Sequence, residues 1–208
     1  MRVILDYGGV LVDHVDEREY AHLLGVSPDR EPYPGWLAYY LFRAGFLTTQ
    51  EQYVGLLSTL TGAAEEDCVE YVEHTWLDPD FPEKRREILA ELAGRHSLVL
   101  FSNMAKPWIE TVLRRHGVRD LFDDLIVSSE IRRTKPHPRG YFLGMEDADG
   151  EIAMVSDEFN EDLLMAQGVG MTTIWLENDD EKPYRRPDHT IDGLGSLGSV
   201  LEEIRTEG

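Results

Sequence analysis

The stretch that decides the fold lies near the N-terminus, Arg2-Val3-Ile4-Leu5-Asp6-Tyr7-Gly8-Gly9-Val10-Leu11-Val12. An apolar run leads into an aspartate and two glycines, and the apolar pattern then resumes. Aspartate disfavours strand interiors and is costly to bury without a partner. A turn or cap role at a strand end is one interpretation of Asp6. Its position at the mouth of a strand, beside glycines that let a ligand approach closely, favours a nucleophile or a metal ligand.

Composition indicates a globular protein with a sizeable core and room for a small second module. The chain has 208 residues, of which 42% are hydrophobic. No stretch reaches the roughly 18 apolar residues that span a bilayer, and the chain opens on a strand pattern rather than a secretion signal. Cys68 is the single cysteine and excludes an intrachain disulfide. We therefore expect a cytoplasmic protein, with Cys68 as a small core residue.

The charge balance is strongly acidic, with 40 acidic and 20 basic residues and a net charge of −20. Such a field repels nucleic acid and anionic membranes, so we expect neither as a partner. The basic residues are mostly arginine, and an acidic surface poor in lysine suggests adaptation to salt. An acidic protein from a mesophile with a GC-rich genome is the alternative. The four lysines are Lys84, Lys106, Lys135 and Lys182.

Apolar segments of strand length alternate with helical patterns over most of the chain. This alternation predicts an α/β fold in which crossover helices connect parallel strands. A terminal helix follows the last strand. The predicted strands are Val3–Leu5, Ser97–Phe101, Leu125–Val127, Ile152–Val155, Thr172–Leu176 and His189–Ile191.

Residues 14–81 interrupt this rhythm with helical patterns only. We therefore predict a small all-helical domain at 14–81, inserted into a core formed by 1–13 and 82–208. Most of its aromatic residues should pack between helices, while one or two face a cleft or a dimer contact. A monomer and a homodimer are both compatible with the sequence.

Local signals place three helices around this insertion. Thr48 and Glu51 form a predicted capping box. A second helix is predicted from Ala63 to Trp76, with Val69, Val72 and Trp76 on one face. Pro82 is predicted in the first turn of a third helix, which ends at Gly94.

Polar residues also follow the later strands, and parallel strands bring such positions to one sheet edge. A carboxylate can attack phosphorus or an activated carbon and form a covalent intermediate. Hydroxyl, amide and ammonium groups can bind an anionic, phosphorylated substrate. The candidates beside Asp6 are Ser102, Asn103, Lys135, Asp157, Glu158 and Asp162, with the backbone amides of Gly9 and Val10.

A carboxylate approaches a phosphate dianion only with help from a cation. Asp6, Asp157 and the backbone carbonyl of Gly8 would form an oxygen-rich site suited to Mg²⁺. The sequence thus predicts Mg²⁺ as the cofactor and a small phosphorylated molecule as the substrate.

Four segments together resemble the haloacid dehalogenase superfamily of phosphatases and related hydrolases. They are Ile4-Leu5-Asp6-Tyr7-Gly8-Gly9-Val10-Leu11, Leu98-Val-Leu-Phe-Ser102-Asn103, Thr134-Lys135-Pro136, and Val155-Ser-Asp157-Glu158 with Asp162. Each segment alone is weak, but their order and their positions at strand ends are specific. The resemblance covers nearly the whole chain and implies a three-layer, Rossmann-like core with a helical cap.

The resemblance also implies a role for each of these residues. Asp6 would be the nucleophile and a metal ligand, with Gly8 contributing its carbonyl. Ser102 and Asn103 would bind phosphate, and Lys135 would orient nucleophile and phosphate. Asp157 would hold the metal directly, supported by Glu158 or Asp162.

One position departs from the superfamily pattern. Its phosphatases usually carry a second aspartate two residues after the nucleophile, which protonates the leaving oxygen and activates water, and here that position is Gly8. General acid–base catalysis contributes about 10²- to 10⁴-fold. Asp13 and His14 are possible substitutes, but we expect Asp13 to cap the hinge into the insertion and His14 to be a surface residue.

Three functions follow from these observations. The first is a Mg²⁺-dependent phosphatase that forms an aspartyl-phosphate at Asp6. The second is a binding or regulatory module that keeps the fold, an interpretation supported by Gly8. The third is a 2-haloacid dehalogenase, which needs no metal, whereas Asp157 and Glu158 keep an acidic pair that repels carboxylate substrates unless a cation is bound.

Overall fold

The computed structural model of the protein describes residues 1–179 and 181–207. Its described residues form one parallel sheet of six strands in the order β3-β2-β1-β4-β5-β6. Leu5 of the central strand pairs with Leu100 on one side and Val155 on the other. The strands are Arg2–Leu5 (β1), Ser97–Ser102 (β2), Asp124–Val127 (β3), Ile152–Ser156 (β4), Thr172–Leu176 (β5) and His189–Ile191 (β6).

Helices cover both faces of this sheet, which confirms the predicted three-layer α/β core. Successive strand residues point to opposite faces, so Val3 and Leu5 pack in one apolar cluster and Ile4 in the other. Burial on both sides explains why the strands read as continuous apolar runs rather than as alternating ones.

The helical elements follow chain order. They are Glu17–Leu24 (3₁₀), Pro34–Arg43 (α1), Gln50–Thr61 (α2), Glu65–Val72 (α3), Glu73–Leu77 (a π-helical turn), Glu83–Ala93 (α4), Lys106–Arg115 (α5), Arg119–Leu121 (3₁₀), Ser128–Ile131 (α6), Pro138–Met145 (α7), Phe159–Leu163 (a π-helical turn), Leu164–Gly168 (α8), Leu194–Ser196 (3₁₀) and Leu197–Glu207 (α9). None of the helices in the described part of the chain combines the length and the apolar character needed to cross a membrane.

The helical elements from Glu17 to Leu77, which precede α4 in the connection between β1 and β2, form a layer beyond the sheet edge. We call them the insertion helices. They pack on the core through Trp108 of α5, which is 1% exposed. Its ring contacts Phe42 and Tyr53 edge-on, at centroid distances of 4.7 and 4.9 Å, and stacks on Trp76 at 5.5 Å. The aromatic residues of the insertion therefore serve both as its own core and as its attachment to the sheet domain.

Two local predictions for the insertion are wrong in detail. The capping residue of α2 is Thr49 rather than Thr48, because the Gln52 amide donates to Thr49 Oγ1 at 3.3 Å. The Gln52 side chain in turn accepts from the Thr48 amide at 2.8 Å. The cap thus lies one residue later than predicted, a shift that adjacent threonines permit.

The second difference concerns the predicted helix from Ala63 to Trp76. The α-helix ends at Val72 and continues as a π-helical turn, which rotates the later side chains relative to the earlier ones. Within the α-helix itself, Val72 is buried while Val69 is 45% exposed, so these two residues do not share one buried face. Pro82 is the residue before α4 rather than inside its first turn, and Gly94 ends α4 as predicted. Cys68 is a buried free cysteine, which confirms its core position.

Candidate functional site

The carboxyl ends of β1, β2 and β4 meet at one edge of the sheet. Asp6 follows β1 directly, and its amide donates to the carbonyl of Val155 at 3.0 Å. Ser102 and Ser156 are the last residues of β2 and β4, the two strands beside β1. The strands that follow in sequence are added on one side of β1 (β2, β3) and then on the other (β4, β5, β6). A crevice opens at the sheet edge where this order reverses.

Lys135 links two of the predicted site carboxylates. Its Nζ lies 2.8 Å from Oδ1 of Asp6 and also donates to Oδ2 of Asp162. All three side chains are less than a tenth exposed. Burial by itself lowers the pKa of Lys135, but the Asp162 and Asp6 carboxylates outweigh it and raise that pKa above its ordinary value. Lys135 therefore stays protonated and fixes the position of Asp6.

Asn103 positions Lys135 rather than pointing its amide freely into the crevice. Its Oδ1 accepts from the Lys135 amide at 2.6 Å, and its Nδ2 donates to the Lys135 carbonyl at 3.3 Å. The Tyr39 hydroxyl donates to the Asn103 carbonyl at 2.7 Å, so an insertion helix is tied to the same segment.

A cleft of about 270 Å³ lies between the sheet edge and the insertion helices. Asp6, Gly8, Ser102, Asn103 and Lys135 all line it. Two predicted phosphate-binding positions do not, because Gly9 and Val10 line a separate depression together with Asp157. The cleft thus brings together most of the predicted side chains, whereas Gly9, Val10 and Asp157 line the neighbouring depression.

The predicted metal ligands fall into two groups. Carboxylate oxygens of Asp6, Glu158 and Asp162 lie within 4.8 Å of one another, a spacing compatible with one shared cation. Asp157 lies outside this group. The buried Oδ1 atoms of Asp157 and Asp162 have no hydrogen-bond partner among the described residues. Buried carboxylate oxygens without donors are the ligands that a hard divalent cation prefers. The grouped carboxylates and the two unpartnered oxygens therefore both fit Mg²⁺.

His14 contacts the carboxylate of Asp157. Its Nε2 lies 3.0 Å from Asp157 Oδ2 and donates, because a carboxylate can only accept. This hydrogen bond is the main reason that the pKa of His14 is raised, although partial burial opposes it. His14 is 63% exposed, so it is a surface residue as predicted, but one that touches a predicted metal ligand.

Both glycines of the β1 loop make room for these two side chains. A Cβ at Gly8 would lie 3.1 Å from Cε1 of His14, so the imidazole covers the face where an aspartate side chain would leave the backbone. A Cβ at Gly9 would lie 1.9 Å from Asp157 Oδ2, and Gly9 has a φ of +68°. Only glycine satisfies both the left-handed backbone and the contact with the Asp157 carboxylate.

Asp13 does not cap the entry to the insertion, contrary to the sequence prediction. Its Oδ1 accepts from Nη2 of Arg85 at 2.7 Å, an ion pair with helix α4 of the core. The first insertion helix is capped instead by Asp16, whose side chain accepts from the Arg18 amide.

The insertion wall of the cleft contains functional candidates that sequence reasoning did not identify. They include Glu17, Tyr39, Arg43, Thr75 and Trp76. One signal was present in the sequence, since Arg43 is the single charged residue of an otherwise aromatic and aliphatic helix, Pro34–Arg43. Burial raises the pKa of Glu17 to about 7, with the neighbouring Asp16 carboxylate adding to the effect.

Sequence comparisons agree with this geometry. A haloacid dehalogenase-like hydrolase family model matches residues 2–170. The pyrimidine 5'-nucleotidase YjjG of Escherichia coli (strain K12) is 28% identical over 120 residues, which cover 55% of this chain and 53% of the relative. The ribulose-1,5-bisphosphate 5-phosphatase of Halopiger xanaduensis is 28% identical over 147 residues, which cover 63% and 59%. The matched part is thus less than two thirds of either relative's length.

Structural comparison extends over nearly the whole chain. The L-2-haloacid dehalogenase from Xanthobacter autotrophicus superposes with a TM-score of 0.68 at 18% identity, covering 97% of this chain and 98% of that one. At this identity the superposition shows a shared fold and no more. With the family match over residues 2–170 and the strand-end site described above, we conclude that the chain belongs to the haloacid dehalogenase-like hydrolase family.

Proposed function

We propose that the protein is a phosphatase that hydrolyses a small phosphate monoester through an aspartyl-phosphate on Asp6. The observation that carries this proposal is the asymmetric support of the Asp6 carboxylate. Oδ1 accepts from the Tyr7 amide at 2.7 Å and from Lys135 at 2.8 Å. Among the described residues, Oδ2 has only a long contact of 3.5 Å from the Ser156 hydroxyl, so Oδ2 is the oxygen left to attack.

The remaining side chains bind and orient the phosphoryl group. Ser102 lines the cleft beside Asp6 and would donate its hydroxyl to a phosphoryl oxygen. Lys135 contributes a fixed positive charge, and Asn103 holds the Lys135 backbone in place. Asn103 is thus a positioning residue in this proposal, rather than the direct phosphate ligand that the family resemblance implies.

The charge of the cleft supports a bound cation. Five carboxylates line it, Asp6, Asp13, Glu17, Glu158 and Glu161, and they would repel a phosphate dianion. Mg²⁺ would be held by Asp6, the Gly8 carbonyl and Glu158, with Asp162 supporting the site. Asp157 lies outside that carboxylate group and would contribute its Oδ1, which has no hydrogen-bond partner among the described residues. When bound, Mg²⁺ supplies charge neutralisation for the phosphoryl oxygens.

The reaction has two steps on Asp6. Oδ2 forms a bond to phosphorus while the ester P–O bond breaks, and the electron pair leaves with the alcohol oxygen. Water then attacks the aspartyl-phosphate, which releases orthophosphate and restores the carboxylate. Gly8 provides no acid for the leaving oxygen, so that proton comes from water in the cleft. The enzyme should therefore favour substrates with good leaving groups.

The insertion helices supply the outer wall of the cleft, and we propose that residues 14–81 act as the cap that excludes water and selects the substrate. A volume of about 270 Å³ suits a small metabolite. The two relatives named above are a nucleotidase and a sugar-bisphosphate phosphatase, and this similarity supports a phosphorylated substrate.

Dehalogenation is a second candidate, because the fold superposes on a haloacid dehalogenase and Gly8 lacks the acid that phosphatases use. Both chemistries start from Asp6, but only the phosphatase needs the cation. A binding module would need neither the Asp6 nucleophile nor the cation for catalysis.

The test measures p-nitrophenyl phosphate hydrolysis by the wild type and by Asp6→Asn, with and without Mg²⁺, alongside chloride release from 2-chloropropionate. Asp120→Asn, an exposed carboxylate, is the control. We expect turnover of the phosphate ester that requires both Asp6 and Mg²⁺. Chloride release without Mg²⁺ would contradict the proposal and show a dehalogenase. If neither compound is turned over, the proposal is also wrong and the protein is a binding module.

A further inference from the structure

Arg43 is a cation that the proposed phosphatase chemistry does not use. Two Lys or Arg side chains line the cleft, Lys135 and Arg43. Lys135 is engaged by the Asp6 and Asp162 carboxylates. None of the ion pairs within 4 Å across the described residues includes Arg43. Among the described residues, the Arg43 guanidinium thus has no carboxylate within ion-pair distance, and its charge acts on the nearby Glu17 carboxylate without a direct contact.

The Arg43 side chain is held in place by aromatic rings. Its guanidinium carbon lies 4.2 Å from the centroid of the Tyr40 ring and 5.6 Å from that of Tyr39. The backbone of the same residue is anchored to the core, because the Ser128 hydroxyl donates to the Arg43 carbonyl at 2.7 Å. Stacking leaves the edge of a guanidinium free to donate, so Arg43 is preorganised for an oxyanion.

Further unused donors lie in the same wall. Nε of Arg43, the hydroxyl of Thr75 and Nε1 of Trp76 are buried and have no hydrogen-bond partner within the described ranges. Thr75 is 2% exposed. Buried donors without acceptors are rare in folded proteins and call for a ligand or an ordered water. The wall also contains the Glu17 carboxylate, but its cation and its unused donors suit an acceptor-rich group on a ligand.

We propose that Arg43, with Thr75 and Trp76 beside it, forms a subsite for a second oxyanion on the substrate, remote from the phosphate that is cleaved. The inference rests on the proposed phosphatase function and narrows it to substrates that carry a carboxylate or a second phosphate. Arg43 is on the insertion side of the cleft, whereas Asp6, Ser102 and Lys135 are on the sheet side, so one substrate can engage both ends.

The test uses non-hydrolysable ligands, so that it does not depend on turnover. The three probes are 3-phosphonopropionate, the primary amide of its carboxyl group, and propane-1,3-bisphosphonate, so that the amide lacks only the second charged group. Their dissociation constants are measured by calorimetry with Mg²⁺ present, for the wild type, Arg43→Gln, Arg43→Lys and the control Arg114→Gln. Arg114 is an exposed arginine on α5 paired with Glu110, so its substitution removes the same charge far from the cleft wall.

We expect the wild type to bind the carboxylate or the bisphosphonate about 10- to 100-fold more tightly than the amide. Arg43→Gln should remove that preference while changing amide affinity by about twofold or less. Arg43→Lys should keep part of the preference, and Arg114→Gln all of it. Comparison of the two charged probes identifies the remote group as a carboxylate or a phosphate.

Two outcomes overturn the subsite. One is a wild type that binds the amide as tightly as the charged probes. The other is an Arg43→Gln variant that weakens all three probes equally, which would place Arg43 on the common phosphonate. The proposed function fails separately, through absent turnover of p-nitrophenyl phosphate, and the binding preference can be measured in that case too.

Discussion

Nε2 of His14 donates to Oδ2 of Asp157 across 3.0 Å and leaves Oδ1 of the same carboxylate buried without a partner among the described residues. A hydrogen bond to one oxygen of a metal-binding carboxylate orients the other oxygen toward the cation. His14 therefore acts as the outer support of Asp157 in the proposed Mg²⁺ site.

Replacing His14 should weaken the affinity for Mg²⁺. We expect His14→Ala to raise the Mg²⁺ concentration needed for half-maximal activity by about tenfold, because Asp157 loses its orienting donor. The rate at saturating Mg²⁺ should change little, and His14→Gln should restore part of the affinity. Magnesium titrations of activity measure both. His22→Ala, at another exposed histidine, is the control, and unchanged Mg²⁺ affinity in His14→Ala would contradict the role.

An acid introduced at position 8 should broaden the range of substrates. In Gly8→Asp, the exposed His14 ring must move aside, since the new Cβ lies 3.1 Å from its Cε1. General acid catalysis then becomes available, and we expect turnover of alkyl phosphates to rise about 10²-fold. Turnover of p-nitrophenyl phosphate, which has a good leaving group, should change far less.

The matched variant for this prediction is Gly8→Asn, which has nearly the same size but no transferable proton. Steady-state rates with both substrate classes separate the two effects. Equal rates for the aspartate and asparagine variants would show that steric change, rather than acid catalysis, dominates at this position.

Removing Lys135 should destabilise the fold. Lys135→Met leaves the Asp6 and Asp162 carboxylates buried side by side without their shared cation, which costs about 3 to 5 kcal/mol. The loss should grow as pH rises, because two ionised carboxylates buried side by side without a cation repel each other. Urea unfolding at several pH values measures this loss, with Lys84→Met at an exposed site as the control. A loss below 1 kcal/mol at neutral pH would show that the two carboxylates remain solvated.

Glu17 should make stability depend on pH. Burial raises its pKa from 4.5 to about 7, so the folded state holds the proton more tightly than the unfolded state. That contribution to stability is complete below pH 4.5 and is lost as pH rises through 7. Glu17→Gln should therefore gain about 1 to 2 kcal/mol over the wild type at pH 8, a value reduced for partial exposure, and nothing near pH 4.

Chemical unfolding of both proteins across this pH range checks the Glu17 prediction. Glu19→Gln, an exposed carboxylate in the same 3₁₀ helix, should show no such pH-dependent gain. Parallel pH profiles for the wild type and Glu17→Gln would show that Glu17 titrates as a solvated group.

The acidic surface should make the fold depend on salt if it reflects salt adaptation. With a net charge of −20, screening by KCl weakens the repulsion among carboxylates. We expect the thermal unfolding midpoint to rise by several degrees between dilute buffer and molar KCl. A midpoint that does not rise supports the alternative of an acidic mesophilic protein.

The core of this protein follows from local patterns in its sequence. Its strands are short apolar runs whose ends are marked by polar residues, and each predicted strand overlaps an observed one to within one residue. Asp6, Ser102 and Lys135 were recognisable because parallel strands must bring their carboxyl ends to one edge, whatever the detailed packing. Such local and topological rules need no knowledge of distant contacts.

The rest of the site depends on long-range packing. The contact of His14 with Asp157 spans 143 positions, and Asn103 pairs with the Lys135 backbone across 32. The orientation of Arg43 depends on how α1 packs against the core, which an aromatic-rich helix pattern does not specify. Long-range packing selects which of several exposed polar residues faces a cleft, because sequence periodicity identifies the buried face of a helix but not its neighbour.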